Sequence, residues 1–170
     1  SLAGGGKILI PFGNYMLGSI VVKSNVHILI EPNTTIVPYI ADQTKSMGIF
    51  SFGDNGVLAS NVSIRAVSGK FVVNLPVFDP GIRVFTFGTV NNFLISDFTV
   101  NDNFTKFACV SMGISTSDNS NYNWPQNGLV KNGSVIDAAY GYGLVQVQAA
   151  ENILFKDLDG VGGATLRVET

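Results

Sequence analysis

The sequence predicts an all-β fold, a right-handed parallel β-helix whose coils stack as a solenoid. Three observations predict it. A short phrase, an asparagine followed by an apolar run, returns five times: Asn25-Val26-His27-Ile28, Asn61-Val62-Ser63-Ile64, Asn92-Phe93-Leu94-Ile95, Asn127-Gly128-Leu129-Val130 and Asn152-Ile153-Leu154-Phe155. The asparagines are 36, 31, 35 and 25 residues apart. A period with a floor near 25 and elastic insertions is what coils give when surplus residues leave as loops. Alternation and β-branched residues dominate, and no long stretch sustains a helical period. Finally, the chain lacks the regularly spaced two-residue hairpins of an antiparallel sandwich, whereas parallel strands need crossover connections. A sandwich or barrel is the alternative.

Composition bounds the rest. A chain of 170 residues is one domain by size. Charged residues make up 13%, about half the usual share, so amides and hydroxyls cover much of the surface. That suits stacked strands, where like charges directly above one another repel. A formal charge of −2 argues against a nucleic-acid footprint. No apolar run approaches the roughly 20 residues needed to span a bilayer, so no membrane partner is expected, and the protein is expected to be a monomer. Cys109 is the sole cysteine. It forms no internal disulfide, builds no zinc cluster, and reads as a small buried hydrophobe.

The elements follow in order. Strands are expected at residues 7–11 and 19–23, with the turn Pro11-Phe12-Gly13-Asn14 between them, where glycine can take positive φ. After Asn25 come strands at 26–31 and 35–37, parted by Pro32-Asn33. A second strand column precedes each asparagine phrase, at 20–23, 49–52, 84–87, 109–112, 144–147 and 166–169, giving two strands per coil. Residues 41–45, 100–106 and 115–126 are too polar and too rich in Gly and Asn for strands, and read as loops. The longest holds Trp124, the only tryptophan. It either stacks on sugar rings or folds back over a side or end of the solenoid.

The opening Gly4-Gly5-Gly6-Lys7-Ile8-Leu9-Ile10-Pro11-Phe12-Gly13-Asn14-Tyr15, with Ile20-Val21-Val22-Lys23-Ser24-Asn25-Val26, resembles the first turns of pectinase-type β-helix enzymes over about 40 residues. The final run, Gly162-Gly163 and then Leu166-Arg167-Val168-Glu169-Thr170, is similar to the catalytic strand of ι-carrageenases. In that family a Glu-x-Asp pair carries acid and base, and a glutamine sits on the neighbouring turn. Glu169 matches the glutamate, and Gln146, 23 residues earlier, matches the glutamine. The aspartate would fall at position 171, and a family histidine also lies further along. His27, in the first coil, does not match it. The resemblance implies a secreted, extracellular bacterial glycoside hydrolase cleaving β-1,4 linkages of a sulfated galactan, ι-carrageenan, with a structural Ca²⁺ and a chloride near the site and no cofactor for the chemistry. It also implies that residues 1–170 form one β-helix domain, the N-terminal part of a longer catalytic domain. Apolar residues followed by a glycine stop at Ser1-Leu2-Ala3-Gly4-Gly5-Gly6 read as the exit of a helix, and caps are expected beyond both ends.

On this reading Glu169 and Gln146 form one rung. Arg167 and Glu169 then share a face opposite Leu166 and Val168, while Gln146 and Gln148 share it one coil earlier. Carboxylates at i and i+2 of a strand have Cα atoms about 6.6 Å apart. Inverting glycosidases hold their pair roughly 6.5–9.5 Å apart and retaining ones about 5–5.5 Å, so the pattern favours inversion, with Glu169 as general acid. Gln146 cannot titrate, and its job would be to position the attacking water or an ion. Without the resemblance, Arg167 and Glu169 read as an exposed ion pair, and the two glutamines as a stabilising amide ladder.

Arg83, Arg167, Gln148 and Trp124 are the candidate substrate-binding residues. Arginine suits sulfate because its guanidinium offers a planar fork of donors. Lys106 and Lys131 are further candidates, with solvated surface charge as the alternative. His27 is expected in a structural hydrogen bond. The loops around Asp102 and Asp118 are oxygen-rich enough for Ca²⁺, and ordinary turn chemistry also explains them. Two other functions fit the same scaffold: a polysaccharide lyase, and a non-catalytic glycan-binding solenoid.

Overall fold

A computed structural model describes residues 4–53, 57–116 and 122–169. Its strands in chain order are β1 (Gly6–Ile10), β2 (Asn14–Leu17), β3 (Ile20–Val22), β4 (Val26–Ile30), β5 (Thr35–Pro38) and β6 (Met47–Phe52). Next come β7 (Ala59–Ala66), β8 (Phe71–Asn74), β9 (Ile82–Phe87), β10 (Val90–Asn101), β11 (Val110–Met112) and β12 (Ser115–Thr116). The last are β13 (Tyr122–Asn123), β14 (Gln126–Ile136), β15 (Gly143–Val147), β16 (Glu151–Gly160) and β17 (Ala164–Val168). All pairings between coils are parallel. The chain is a right-handed β-helix, as the repeat predicts.

Each coil carries three strands, not two. One wall is β3-β6-β9-β11-β15-β17, the second column of the sequence reading. The remaining strands form two further columns. In the first three coils these are separate elements, β1 and β2, β4 and β5, β7 and β8. In the next three they fuse, as β10, β14 and β16, across one residue of positive φ: Asp97 (64°), Asn132 (48°) or Asp157 (53°). Pairing skips this residue, for Ser96 faces Lys131 and Phe98 faces Gly133. The buried positions change phase there, from Phe93 and Ile95 to Phe98 and Val100. A one-residue bend leaves no polar loop, so an alternation search runs through it. The described ends of the expected loop at 115–126 differ from expectation: β12 and β13 form an antiparallel ribbon before β14 begins at Gln126.

The recurring asparagine has a backbone cause. Asn25, Asn61, Asn92, Asn127 and Asn152 have φ of 62°, 55°, 59°, 54° and 55°, the left-handed region that asparagine tolerates better than most side chains. They are the corners at which the chain leaves the first wall. Their amides are also rungs: Asn61 Nδ2 donates to Asn25 Oδ1 at 2.9 Å, and Asn152 Nδ2 to Asn127 Oδ1 at 2.6 Å. Asn127 Nδ2 donates to Asn91 Oδ1 at 2.8 Å.

The interior is stacked phenylalanine. Phe50 lies on Phe85 with centroids 5.7 Å apart, Phe52 on Phe87 at 4.7 Å, and Phe87 meets Phe93 at 4.7 Å. A Cβ on Gly128 would lie 2.1 Å from the Phe93 ring, so the ring fills the next coil's side-chain space. Residues 49 and 50 are both buried, as are 84 and 85, 109 and 110, and 144 and 145. This bulge recurs: the amides of Val84 and Phe85 both donate to the carbonyl of Cys109.

Asn127→Ala is expected to lower unfolding stability by about 1–3 kcal/mol, through the left-handed backbone and the lost rungs. Asn127→Gly should lose less, since glycine keeps the φ. Guanidinium unfolding of the two variants checks this, and equal losses would count against the backbone cause.

Candidate active site

The wall β3-β6-β9-β11-β15-β17 turns alternate side chains outward. One outward column is Val21, Ser51, Thr86, Ser111, Gln146 and Arg167, paired strand to strand. Two residues further on, backbone hydrogen bonds Gly88 to Phe52, Gly113 to Phe87, Gln148 to Met112 and Glu169 to Val147 align Gly53, Gly88, Gly113, Gln148 and Glu169. These columns floor a groove of about 720 Å³ whose lining also includes Arg83, Phe107 and Tyr142.

Here the register corrects the expected rung. Gln146 faces Arg167, not Glu169, because this coil is 21 residues long rather than 23, and Gln148 is the direct neighbour of Glu169. Both amides nonetheless reach the carboxylate: Gln146 Nε2 donates to Glu169 Oε2 at 2.7 Å, and Gln148 Nε2 to the same oxygen at 3.4 Å. Arg167 Nη2 forms an ion pair with Glu169 Oε1, and Arg167 Nη1 donates to the carbonyl of Gly141. The outward polar face was legible; the stagger along it was not.

Arg83 lies in the groove, its guanidinium carbon 3.5 Å from the centroid of Phe107. Burial pulls its pKa below the usual arginine value, with the field of Tyr142 opposing. Trp124 does not reach the groove lining. Its Nε1 donates to Glu151 Oε2 at 3.3 Å, beside Gln126 Nε2 at 3.1 Å, which ties the indole to the side of the solenoid at β16. Lys106 pairs with Asp79 at 2.6 Å on the exposed surface. Lys131 lies on another wall, aligned with Lys156. His27 Nδ1 lies 2.9 Å from Ser63 Oγ, the structural hydrogen bond expected of it.

Asp102 is fully buried, outside the groove lining, with Oδ2 lacking a partner. Burial raises its pKa to about 7, while backbone amides of Ala139 and Thr105 and the thiol of Cys109 oppose the shift. The thiol is 3.9 Å from Oδ1, and burial raises its pKa as well. Among the described residues no three His, Cys, Asp or Glu side chains converge on one point, and a single carboxylate beside a thiol does not make the six to eight oxygens of calcium. Asp118 lies outside the described residues.

Two features escaped the sequence reading. Phe107 and Tyr142 edge the groove, and nothing in their spacing marks them. The glycines of the groove floor did leave a signal, an apolar-Gly pair closing three successive strands: Phe52-Gly53, Phe87-Gly88 and Met112-Gly113. Gly53 has φ +66°, and a Cβ there would strike the carbonyl of Thr89 at 1.9 Å. These positions leave the floor bare where a bound chain could lie on backbone.

No family model matches the chain. The ι-carrageenase of Alteromonas macleodii is 38% identical over 167 residues, 98% of this chain and 34% of that protein. That of Zobellia galactanivorans is 40% identical over 169 residues, again 98% of this chain and 34% of that protein. An ι-carrageenase structure complexed to ι-carrageenan fragments superimposes with TM-score 0.91 at 37% identity, covering 97% of this chain and 36% of the other. The ι-carrageenase of A. fortis in the absence of chloride ions gives TM-score 0.89 at 37% identity, with coverages of 97% and 35%. The chain is thus a relative of the ι-carrageenases and spans about a third of the length of the curated relatives it matches. Among the described residues no helix is long and apolar enough to cross a membrane.

A folded-state pKa raised above the usual value of 3.8 means that Asp102 holds its proton more tightly folded than unfolded. Its contribution to stability is therefore full below about pH 4 and is lost as pH rises toward 7. Asp102→Asn should flatten that part of the profile, measured by chemical unfolding between pH 4 and 8. An unchanged slope would contradict the assignment.

Proposed function

We propose, from the kinship with ι-carrageenases, that the protein carrying this chain hydrolyses β-1,4 linkages of ι-carrageenan, with Glu169 as general acid. One observation carries the reading: a glutamate matching the family's acid lines the groove, held by Gln146, Gln148 and Arg167. Three donors on one carboxylate fix its position; they favour the ionised form, so the proton it would deliver to the leaving oxygen depends on the second carboxylate of the family's pair, which favours the protonated one.

Glu169 would protonate the glycosidic oxygen as the bond breaks. The family's aspartate, two residues beyond Glu169, would take the proton of a water attacking from the opposite face. That spacing accommodates a water between the two carboxyl groups and so favours inversion. Gln146 holds Glu169 and would keep the water in place without exchanging protons itself. Arg167, paired with Glu169 and tied to the carbonyl of Gly141, orients the acid. The resemblance implies a chloride near the site; Gln146, Gln148 and Arg167 already donate to Glu169, so a chloride held by these side chains would share or replace those contacts and would supply negative charge beside the acid. Because the substrate is a polymer too large to cross a membrane, the enzyme would act outside the cell.

In the full-length protein, Glu169→Gln should lower hydrolysis about 10²–10⁴-fold while binding of the sulfated galactan persists. Undiminished hydrolysis would remove Glu169 from the acid role. Products should be reducing sugars with no ultraviolet absorbance from a new double bond; such absorbance would mark a lyase. Polysaccharide binding with no turnover in the unmodified protein would mark a binding module.

A further inference from the structure

The two arginines of the groove are in opposite states. Arg167 is committed to Glu169 and to the carbonyl of Gly141. Arg83, half-buried, makes no ion pair or hydrogen bond among the described residues; its guanidinium lies on the Phe107 ring. Taking a guanidinium partly out of water without a counter-ion is costly, and the lowered pKa of Arg83 has that cause. A ring stacked beneath the guanidinium holds its plane by cation–π attraction but covers only one face. The in-plane N–H groups remain free to meet an anion.

The shelf itself is built. Tyr142 meets Phe107 edge-on with centroids 6.1 Å apart. Gly81, at φ +90°, leaves the space the ring occupies, for a Cβ there would stand 2.4 Å from it. Arg83 is on β9 and Glu169 directly follows β17, three strands away along the wall. At the usual inter-strand spacing that is about 14 Å along the solenoid axis.

We propose that Arg83, shelved on Phe107, is an anion subsite that takes a sulfate ester of the polysaccharide about three coils from Glu169, and that Phe107 is its positioning residue. The identity of the polymer rests on the function proposed above; the anion subsite rests on the unpaired guanidinium. A planar fork of N–H donors matches two oxygens of a sulfate. Being remote from the cut, the contact would be made equally in ground state and transition state, so it serves binding and chain length rather than the chemical step.

The test uses the full-length protein with Glu169→Gln, which keeps the substrate intact, and calorimetric titration with a ι-carrageenan oligosaccharide and its desulfated counterpart. Arg83→Gln should weaken binding of the sulfated chain about tenfold or more, flatten its salt dependence, and leave the desulfated chain unaffected. Phe107→Leu should weaken the sulfated chain about fivefold, and Phe107→Tyr should restore it. With Glu169 intact, Arg83→Gln should raise KM for long substrates while kcat stays within about twofold. Unchanged affinity in a folded Arg83→Gln variant would overturn the proposal, as would equal losses for sulfated and desulfated chains. A protein that binds the sulfated chain through Arg83 but never hydrolyses it would keep this subsite and refute the proposed activity.

Discussion

At Asn25, Asn61, Asn92, Asn127 and Asn152 the backbone turns through positive φ at the same corner of successive coils, and the parallel ladders on either side keep that corner in line. The rest of the molecule depends on this alignment. In a parallel sheet a slip of one residue would send every outward side chain inward. Interior phenylalanine stacks would be lost together with the groove, since both use alternate positions of the same strands. The asparagine is a conformational requirement first and a rung second.

Upon that frame the groove concentrates what little charge the wall carries. Serine, threonine and bare glycine line the floor, and Glu169, Arg167 and Arg83 stand over it. The pairing of Arg167 with Glu169 and the isolation of Arg83 divide the surface in two. One end holds a carboxylate fixed by three donors. The other presents a cation fixed by an aromatic ring. A polyanion lying along the axis would meet both, which matches the kind of substrate that ι-carrageenases take.

The corners and the site wall were legible because the residues that make them are chemically unusual. Asparagine tolerates the left-handed turn, and a strand reading Leu166-Arg167-Val168-Glu169 separates its faces by polarity. The third column of strands was hidden by the opposite circumstance: Asp97, Asn132 and Asp157 bend the chain in one residue, without a loop to announce it. Register along the wall differs by two residues from the expected rung, because Gln146 and Glu169 lie 23 apart in sequence while the paired backbones, Gln146 and Arg167, repeat at 21. Phe107 could not be placed, since its function comes from a contact with Arg83, 24 positions away in sequence, that only a folded coil creates. Trp124 was ambiguous in sequence, a sugar platform or a cover for the solenoid's side, and its position became readable only through the hydrogen bond of its indole N–H to Glu151.

The most direct measurement is a double-mutant cycle on kcat in the full-length protein, combining Gln146→Leu with Glu169→Gln. If successive coils bring the amide and the carboxylate into one unit, removing either disables the same step, and the double variant should be no slower than Glu169→Gln alone. If instead the two losses multiply, the side chains act independently, and the account of one shared wall is wrong.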